Sequence, residues 1–256
     1  MQIGITERGD SALDLSWANK LATVDAAVII TKNASVPAFK NALINAHNNG
    51  HKIILHATCT GMGHTIFEPN VPDYKTQIDN LRSIIDMGFP VEQTVLRIDP
   101  ILPLPEYVEL AGKVAEYALN KIPDLKRIRI SVMDMHYRHL QQRFIQAGVA
   151  DKLVNRFKSE DYIDPDIMTA IINTFTPFQQ KGIFIETCAE PILTTNSSFE
   201  NNGCVSNKDM DILGLPHVIT NKLGVQRPGA CKCLPKTELL SRRGQCPHRC
   251  LYCFWR

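Results

Sequence analysis

Three cysteines, Cys246, Cys250 and Cys253, fall within the stretch CPHRCLYCFWR at spacing C-x3-C-x2-C. Thiolates are soft ligands that suit iron–sulfur clusters, zinc and cuprous copper. Spacings this close on a loop let consecutive sulfurs converge on one metal centre. Three sulfurs on a [4Fe–4S] cube leave the fourth iron without a protein ligand, and a substrate or cofactor can bind there. On spacing alone, half of a zinc ribbon is the alternative.

Four more cysteines, Cys188, Cys204, Cys231 and Cys233, crowd into a loop-rich part of the chain. They make a full ligand set for a second [4Fe–4S] cluster. A structural zinc at the same four positions is the close rival, and unliganded buried thiols are the third reading. Cys59, in HATCTG, reads as a free core thiol. Disulfides are not expected. MQIGITERGD lacks the basic and apolar regions of a signal peptide, so a reducing, cytoplasmic location is the expectation. No run of 18 apolar residues occurs, so neither is a membrane span.

The elements that must position these thiols are legible as periodicity. The chain has 256 residues, 44% hydrophobic and 21% charged, enough for one large domain with its own core. Short β-branched runs (MQIGIT, DAAVIIT, KIILHAT, QTVLRI, RIRISVM, GIFIET) read as six strands. Between them VPAFKNALINAHNNG, DYKTQIDNLRSIIDMG, PLPEYVELAGKVAEYALNKIP and DPDIMTAIINTFTPFQQKG show helical spacing with Pro, Asp or Gly at their ends. Helical crossovers between strands imply parallel pairing. The expected fold is α/β: a partial parallel (β/α)6 TIM-like barrel over residues 1–188. Residues 189–256 are expected to wrap its mouth as a cysteine-rich tail, with a short helix near NKDMDILG, the whole forming one unit. No G-x-G-x-x-G turn follows the first strand, which leaves a dinucleotide-binding sheet without support. Each predicted strand ends on a polar or ionisable group, so a site at the C-terminal mouth is expected.

Net charge is +2, which announces no partner. From Arg227 onward, however, Arg227, Lys232, Lys236, Arg242, Arg243, Arg249 and Arg256 face one acid, Glu238. Such a segment reads as solvated surface or as a place for phosphate.

The cysteine spacing, with Tyr252 before the last cysteine, resembles the radical S-adenosylmethionine superfamily. ITKN, TGMGHTIFEPNVP, RIDPILP, ISVMDMH, ETCAE, ACKC and CPHRCLYCFW together resemble one branch of it, bacterial and phage proteins with the cysteine motif at the C-terminus. The resemblance implies that Cys246, Cys250 and Cys253 hold a [4Fe–4S] cluster and that S-adenosylmethionine chelates its open iron. Tyr252 would then lie against the adenine. It further implies reductive cleavage to a 5′-deoxyadenosyl radical, a one-electron donor such as flavodoxin or ferredoxin, and an auxiliary cluster as in many members. The substrate is open: a modified nucleobase in phage DNA, a small metabolite or a peptide. A barrel with a zinc-ribbon nucleic-acid-binding tail is the rival class. Members of the wider superfamily carry the cysteine loop after their first strand, so here the tail must fold back over the mouth.

Thr31, Lys32 and Asn33 are candidates for the amino-group contact, or else form a helix-start turn. Arg97 and Asp99, two apart on one strand face, either bind the carboxylate and ribose of S-adenosylmethionine or form a structural ion pair. Asp134, with His136, is a candidate for substrate positioning, and Glu190 for a functional carboxylate. His56 and His64 read as satisfied histidines, His139 as a surface helix residue. No P-loop or Ser/His/Asp arrangement occurs.

Overall fold

The structure, a computed structural model, describes residues 1–134, 137–151, 153, 163–220, 230–241 and 245–254. All six expected strands form: β1 (Ile3–Ile5), β2 (Ala26–Thr31), β3 (Ile53–Thr58), β4 (Thr94–Ile101), β5 (Arg127–Val132) and β6 (Phe184–Thr187). The expected helices form as α1 (Pro37–Asn48), α2 (Tyr74–Asp86), α3 (Pro105–Lys121) and α5 (Pro165–Gln180). Their starts follow sequence chemistry. Pro37, Pro105 and Pro165 occupy first turns, and Asp73 caps α2 by accepting from the amides of Lys75 and Thr76.

The sheet has eight strands rather than six. Two strands of two residues, β7 (Glu200–Asn201) and β8 (Thr237–Glu238), extend its edges in the order β7-β6-β5-β4-β3-β2-β1-β8, and every pair is parallel. Both lie in the tail, so tail residues enter the sheet itself. Strands β1 to β6 neighbour each other in chain order, without the reversal that marks a doubly wound sheet. Among the described residues there are three further α-helices, α4 (Arg138–Gln146), α6 (Pro191–Thr195) and α7 (Asn207–Ile212), the last being the expected short tail helix. Ser206 and Asp209 close a reciprocal capping box on α7.

Side chains alternate across the sheet, as a period of two requires. Ala27, Ile29, Ile53, Leu55, Leu96 and Ile98 pack in one cluster with Phe39 and Leu43 of α1, Ile78 and Leu81 of α2, and Phe175 of α5. Ile3, Ile5, Val28, Ile30, Ile54 and Val95 turn the other way. There they meet the tail: Val205, Met210, Leu213, Leu234 and the cysteines Cys188, Cys204, Cys231 and Cys233. The helices thus cover one face and the tail covers the other.

That second face is polar toward β5 and β6. Arg129, fully buried, donates through Nε to Glu186 Oε2 at 3.0 Å and through NH1 to the Cys204 carbonyl at 3.1 Å. Its NH1 also meets His56 Nε2 at 3.1 Å; a guanidinium only donates, so that nitrogen accepts and His56 carries its proton on Nδ1. Burial and Arg129 hold His56 well below its usual pKa, so it is neutral. Arg127 bridges Glu186 and Asp209 at 2.8 Å each. Among the described residues, no helix is long and apolar enough to cross a membrane.

Candidate metal centre

A cavity of about 530 Å³ opens beyond the C-terminal ends of the strands. β1 to β6 all reach it, through Thr6, Thr31, Thr58, Ser131 and Cys188 at, near or just past their ends and through Arg97 within β4. Seven of the eight cysteines line it: Cys188, Cys204, Cys231 and Cys233 together with Cys246, Cys250 and Cys253. Cys59 is the eighth, buried at the end of β3 beside Tyr74, where burial pushes its thiol up to about 12.

The terminal cysteine loop is seated by contacts from distant parts of the chain. The Leu251 amide donates to the Phe67 carbonyl at 2.8 Å, and Asn70 Nδ2 donates to the Pro247 carbonyl at 2.8 Å. Arg143 of α4 donates to the Cys253 carbonyl at 2.6 Å. His248, between the first two cysteines, has both ring nitrogens engaged. Nε2 lies 2.9 Å from Asp10 Oδ2 and Nδ1 lies 3.0 Å from the Asn70 carbonyl. Both partners accept, so both nitrogens donate and the ring is an imidazolium. In agreement, burial of His248 is outweighed by Asp10, leaving its pKa raised, and burial of Asp10 is outweighed by His248, leaving its pKa lowered. Asp10 also accepts from the amides of Ala12 and Lys32 and from the Thr31 hydroxyl.

Lys32 is the hub of a second contact set. Its Nζ lies 2.9 Å from Glu68 Oε1, 2.9 Å from the Tyr252 hydroxyl and 3.4 Å from the Asp99 carbonyl. The Tyr252 hydroxyl donates to Glu68. Burial would lower Lys32, but Glu68 and the Cys250 thiol beside it leave its pKa raised. Burial and Glu68 raise Tyr252 well above its usual value, so it is a neutral phenol. Cys250 is pushed up to about 12 by burial, with Lys32 pulling it down and Glu68 adding to it.

Within the second set, the Sγ atoms of Cys188 and Cys204 lie 3.0 Å apart, and those of Cys188, Cys204 and Cys233 all lie within 4.8 Å of one another. Three buried thiols this close are able to hold a metal. Cys231 joins them through a side-chain contact with Cys233. The Cys204 amide donates to Cys233 Sγ at 3.0 Å, and contacts from Cys188 and Cys204 lower Cys233 to about 6. Gly203, just before, has φ +67, and a Cβ there would sit 2.8 Å from the Cys233 amide nitrogen. Only glycine suits that turn.

The expected site residues divide. Thr31, Lys32, Arg97, Asp99, Asp134 and Tyr252 line the cavity. Arg97 Nε donates to Asp99 Oδ2 at 2.7 Å, so the two are ion-paired within the cavity lining, and Cys188 and Cys204 act on the Arg97 charge. Two others are not among the residues that line the cavity. Asn33 accepts from the Ser35 amide and hydroxyl, as in the helix-start turn that is its other reading. Glu190, at the start of α6, is buried with Oε1 accepting from Ser131 Oγ and the Val132 amide of β5 at 2.8 Å each. His136 lies outside the described residues, as do Arg227, Arg242, Arg243 and Arg256 of the basic segment. Sequence reasoning missed Asp10, Glu68, His248 and Lys236. Asp10 stands in a strand-end stretch, ITERGD, and His248 within the cysteine loop, which were the available signals.

A parallel α/β protein whose strand ends open on a thiol-lined cavity is the class that fold and site define. Comparison with family models gives a match over residues 15–255 to the family described as "Domain of unknown function (DUF1848)", and the chain belongs to that family. Comparison with curated proteins gives no match.

Proposed function

We propose that the protein is a radical S-adenosylmethionine enzyme built on a partial barrel, its terminal cysteines holding a [4Fe–4S] cluster at the mouth. The observation that carries the reading is the convergence of Cys246, Cys250 and Cys253 on a cavity reached by β1 to β6. The donor set fits such a group. Three thiols line the cavity, and His248, inside the cysteine loop, is engaged by Asp10 and Asn70 and not offered as a fourth ligand. The Thr58 hydroxyl lines the same wall, buried and without a partner among the described residues, as a ligand contact would be.

When bound, such a cluster supplies one electron for cleavage of S-adenosylmethionine to methionine and a 5′-deoxyadenosyl radical that takes hydrogen from a substrate. The chain's own residues orient and shield. The Asp10–His248 pair fixes the loop. Lys32, whose Nζ meets Glu68 Oε1, the Tyr252 hydroxyl and the Asp99 carbonyl, positions Tyr252. Tyr252, anchored by its hydroxyl, offers a ring to the adenine. Asp134, which lines the cavity, is the candidate for substrate contact. The four other cysteines are proposed to hold a metal as well, a second cluster or zinc.

A cavity of about 530 Å³ is in the range of small-molecule sites. What enters beside S-adenosylmethionine is therefore a small metabolite, a peptide side chain or a single nucleobase extruded from DNA. The rival, a zinc-ribbon tail for nucleic acid, is disfavoured because the thiols are buried in the cavity and not presented on a separate module. The test is anaerobic incubation with S-adenosylmethionine and dithionite. 5′-Deoxyadenosine should appear and be lost in Cys250→Ser; none from protein carrying its full iron would refute the reading.

A further inference from the structure

The two thiol sets differ in spacing, and spacing separates one ion from a cluster. A tetrahedral ion with metal–sulfur bonds of about 2.3 Å holds its sulfurs roughly 3.8 Å apart. A cube holds its cysteine sulfurs farther apart, because each sits on a different iron. Cys188, Cys204 and Cys233 are within 4.8 Å of one another. Among the described residues, neither the terminal trio nor Cys231, which meets Cys233, joins a group that close.

We propose that Cys188, Cys204, Cys231 and Cys233 form a centre for a single thiophilic divalent ion, zinc, and not a second cube. Zinc outranks ferrous iron at a thiolate site of this kind, and four sulfurs complete its tetrahedral shell. The surroundings match the charge. Four thiolates on a divalent ion leave two negative charges, and three cations stand near them, buried Arg129 and half-buried Arg97 and Lys236, each also paired with a carboxylate, Glu186, Asp99 and Glu7. Arg129 and Arg97 interact with Cys188 and Cys204, and Lys236 interacts with Cys204 and Cys233. Arg129 also donates to the Cys204 carbonyl, fixing that ligand's backbone, and the Cys204 amide donates to Cys233 Sγ. Hydrogen bonds that orient ligands are a regular part of such centres.

The ligands come from chain segments that otherwise share little regular structure. Cys188 follows β6, Cys204 follows β7, and Cys231 and Cys233 precede β8. One ion would tie β6 to the segment that pairs with β1, spanning the sheet face that the helices leave uncovered. The ion is thus a staple that holds the tail over the mouth. The inference concerns other cysteines than the radical reading and does not depend on it.

The test uses the full chain with Cys246→Ser, Cys250→Ser and Cys253→Ser combined, purified anaerobically under reducing conditions. The expected result is one zinc per chain without acid-labile sulfide, and on exchange with cobalt(II) intense thiolate-to-cobalt absorption. Iron and sulfide near four each would overturn the inference in favour of a cube. One iron without sulfide would overturn the choice of zinc, and a metal-free folded chain or a Cys188–Cys204 disulfide would overturn the site. Should that variant fail to fold, zinc-edge absorption spectroscopy on the unmodified protein decides: four sulfurs at about 2.3 Å support the staple, and a chain without zinc refutes it. Failure of the radical reading alone would remove terminal iron and leave the zinc count unchanged.

Discussion

Replacing Asp10 with Ala isolates the contact that seats the terminal cysteine loop. The carboxylate accepts four hydrogen bonds: from the Lys32 amide at 2.6 Å, the Thr31 hydroxyl at 2.7 Å, the Ala12 amide at 2.8 Å and His248 Nε2 at 2.9 Å. His248 is 2% exposed, so water does not replace the lost partner. Removing one member of a buried ion pair costs about 3–5 kcal/mol. His248 recovers part of this by shedding its proton, which points to the lower end, about 3 kcal/mol. At 1.4 kcal/mol per decade, loop opening becomes roughly a hundredfold more populated. Native-state hydrogen exchange reads this at the Leu251 amide, which is bonded to the Phe67 carbonyl and closes only when the loop is docked. Compared at equal metal content, Leu251 should exchange about a hundredfold faster in Asp10→Ala. Leu251 exchange within threefold of the unmodified protein would refute the latch.

Gly63→Ala would place a Cβ 2.0 Å from the Pro72 carbonyl oxygen, in the segment that carries Phe67, Glu68 and Asn70. A loss of about 1–3 kcal/mol, seen as a lower thermal midpoint together with faster Leu251 exchange, is expected; an unchanged midpoint contradicts it. Arg129→Met should cost about 3–5 kcal/mol in denaturant titration, because Glu186 loses one of its two buried arginines. Adding Glu186→Leu should cost less than the sum of the two single changes, and additivity would show that the pair is uncoupled. Asp73→Ala should cost about 1 kcal/mol at pH 7 by uncapping α2. Hydrogen bonds from Thr76 lower the Asp73 pKa below 3.8, so the cap contributes fully above that value and is lost as pH falls through the lowered one. The gap in urea midpoint between Asp73→Ala and the unmodified protein should therefore narrow in acid; an equal gap at pH 2 would refute the charged cap.

The long elements were legible because each carries its own periodicity: β2 and β3 are continuous apolar runs, and α2 has Ile78, Leu81 and Ile84 on one face after an Asp cap. The short strands β7 and β8 were not, since a two-residue strand has no period and exists through its pairing with β6 or β1. The helix α4 has only Leu140 and Phe144 buried, too few to stand out. At the site, cysteine spacing pointed to the ligands, and strand ends to Lys32, Arg97 and Asp99. What could not be read were partnerships across the chain: Asp10 with His248 is 238 positions apart, and Glu68 with Tyr252 is 184. Nor could the sequence show that Glu190 accepts from Ser131 and the Val132 amide, 59 and 58 positions away.

An iron corner that no protein atom occupies is the central claim. Electron paramagnetic resonance of the dithionite-reduced protein, recorded with S-adenosylmethionine bearing a nitrogen-15 amino group, reads that corner directly. Binding should shift the cluster signal and add a hyperfine coupling from the labelled nitrogen. A cluster signal that neither shifts nor couples would mean that all four irons are closed to S-adenosylmethionine, and would contradict the account.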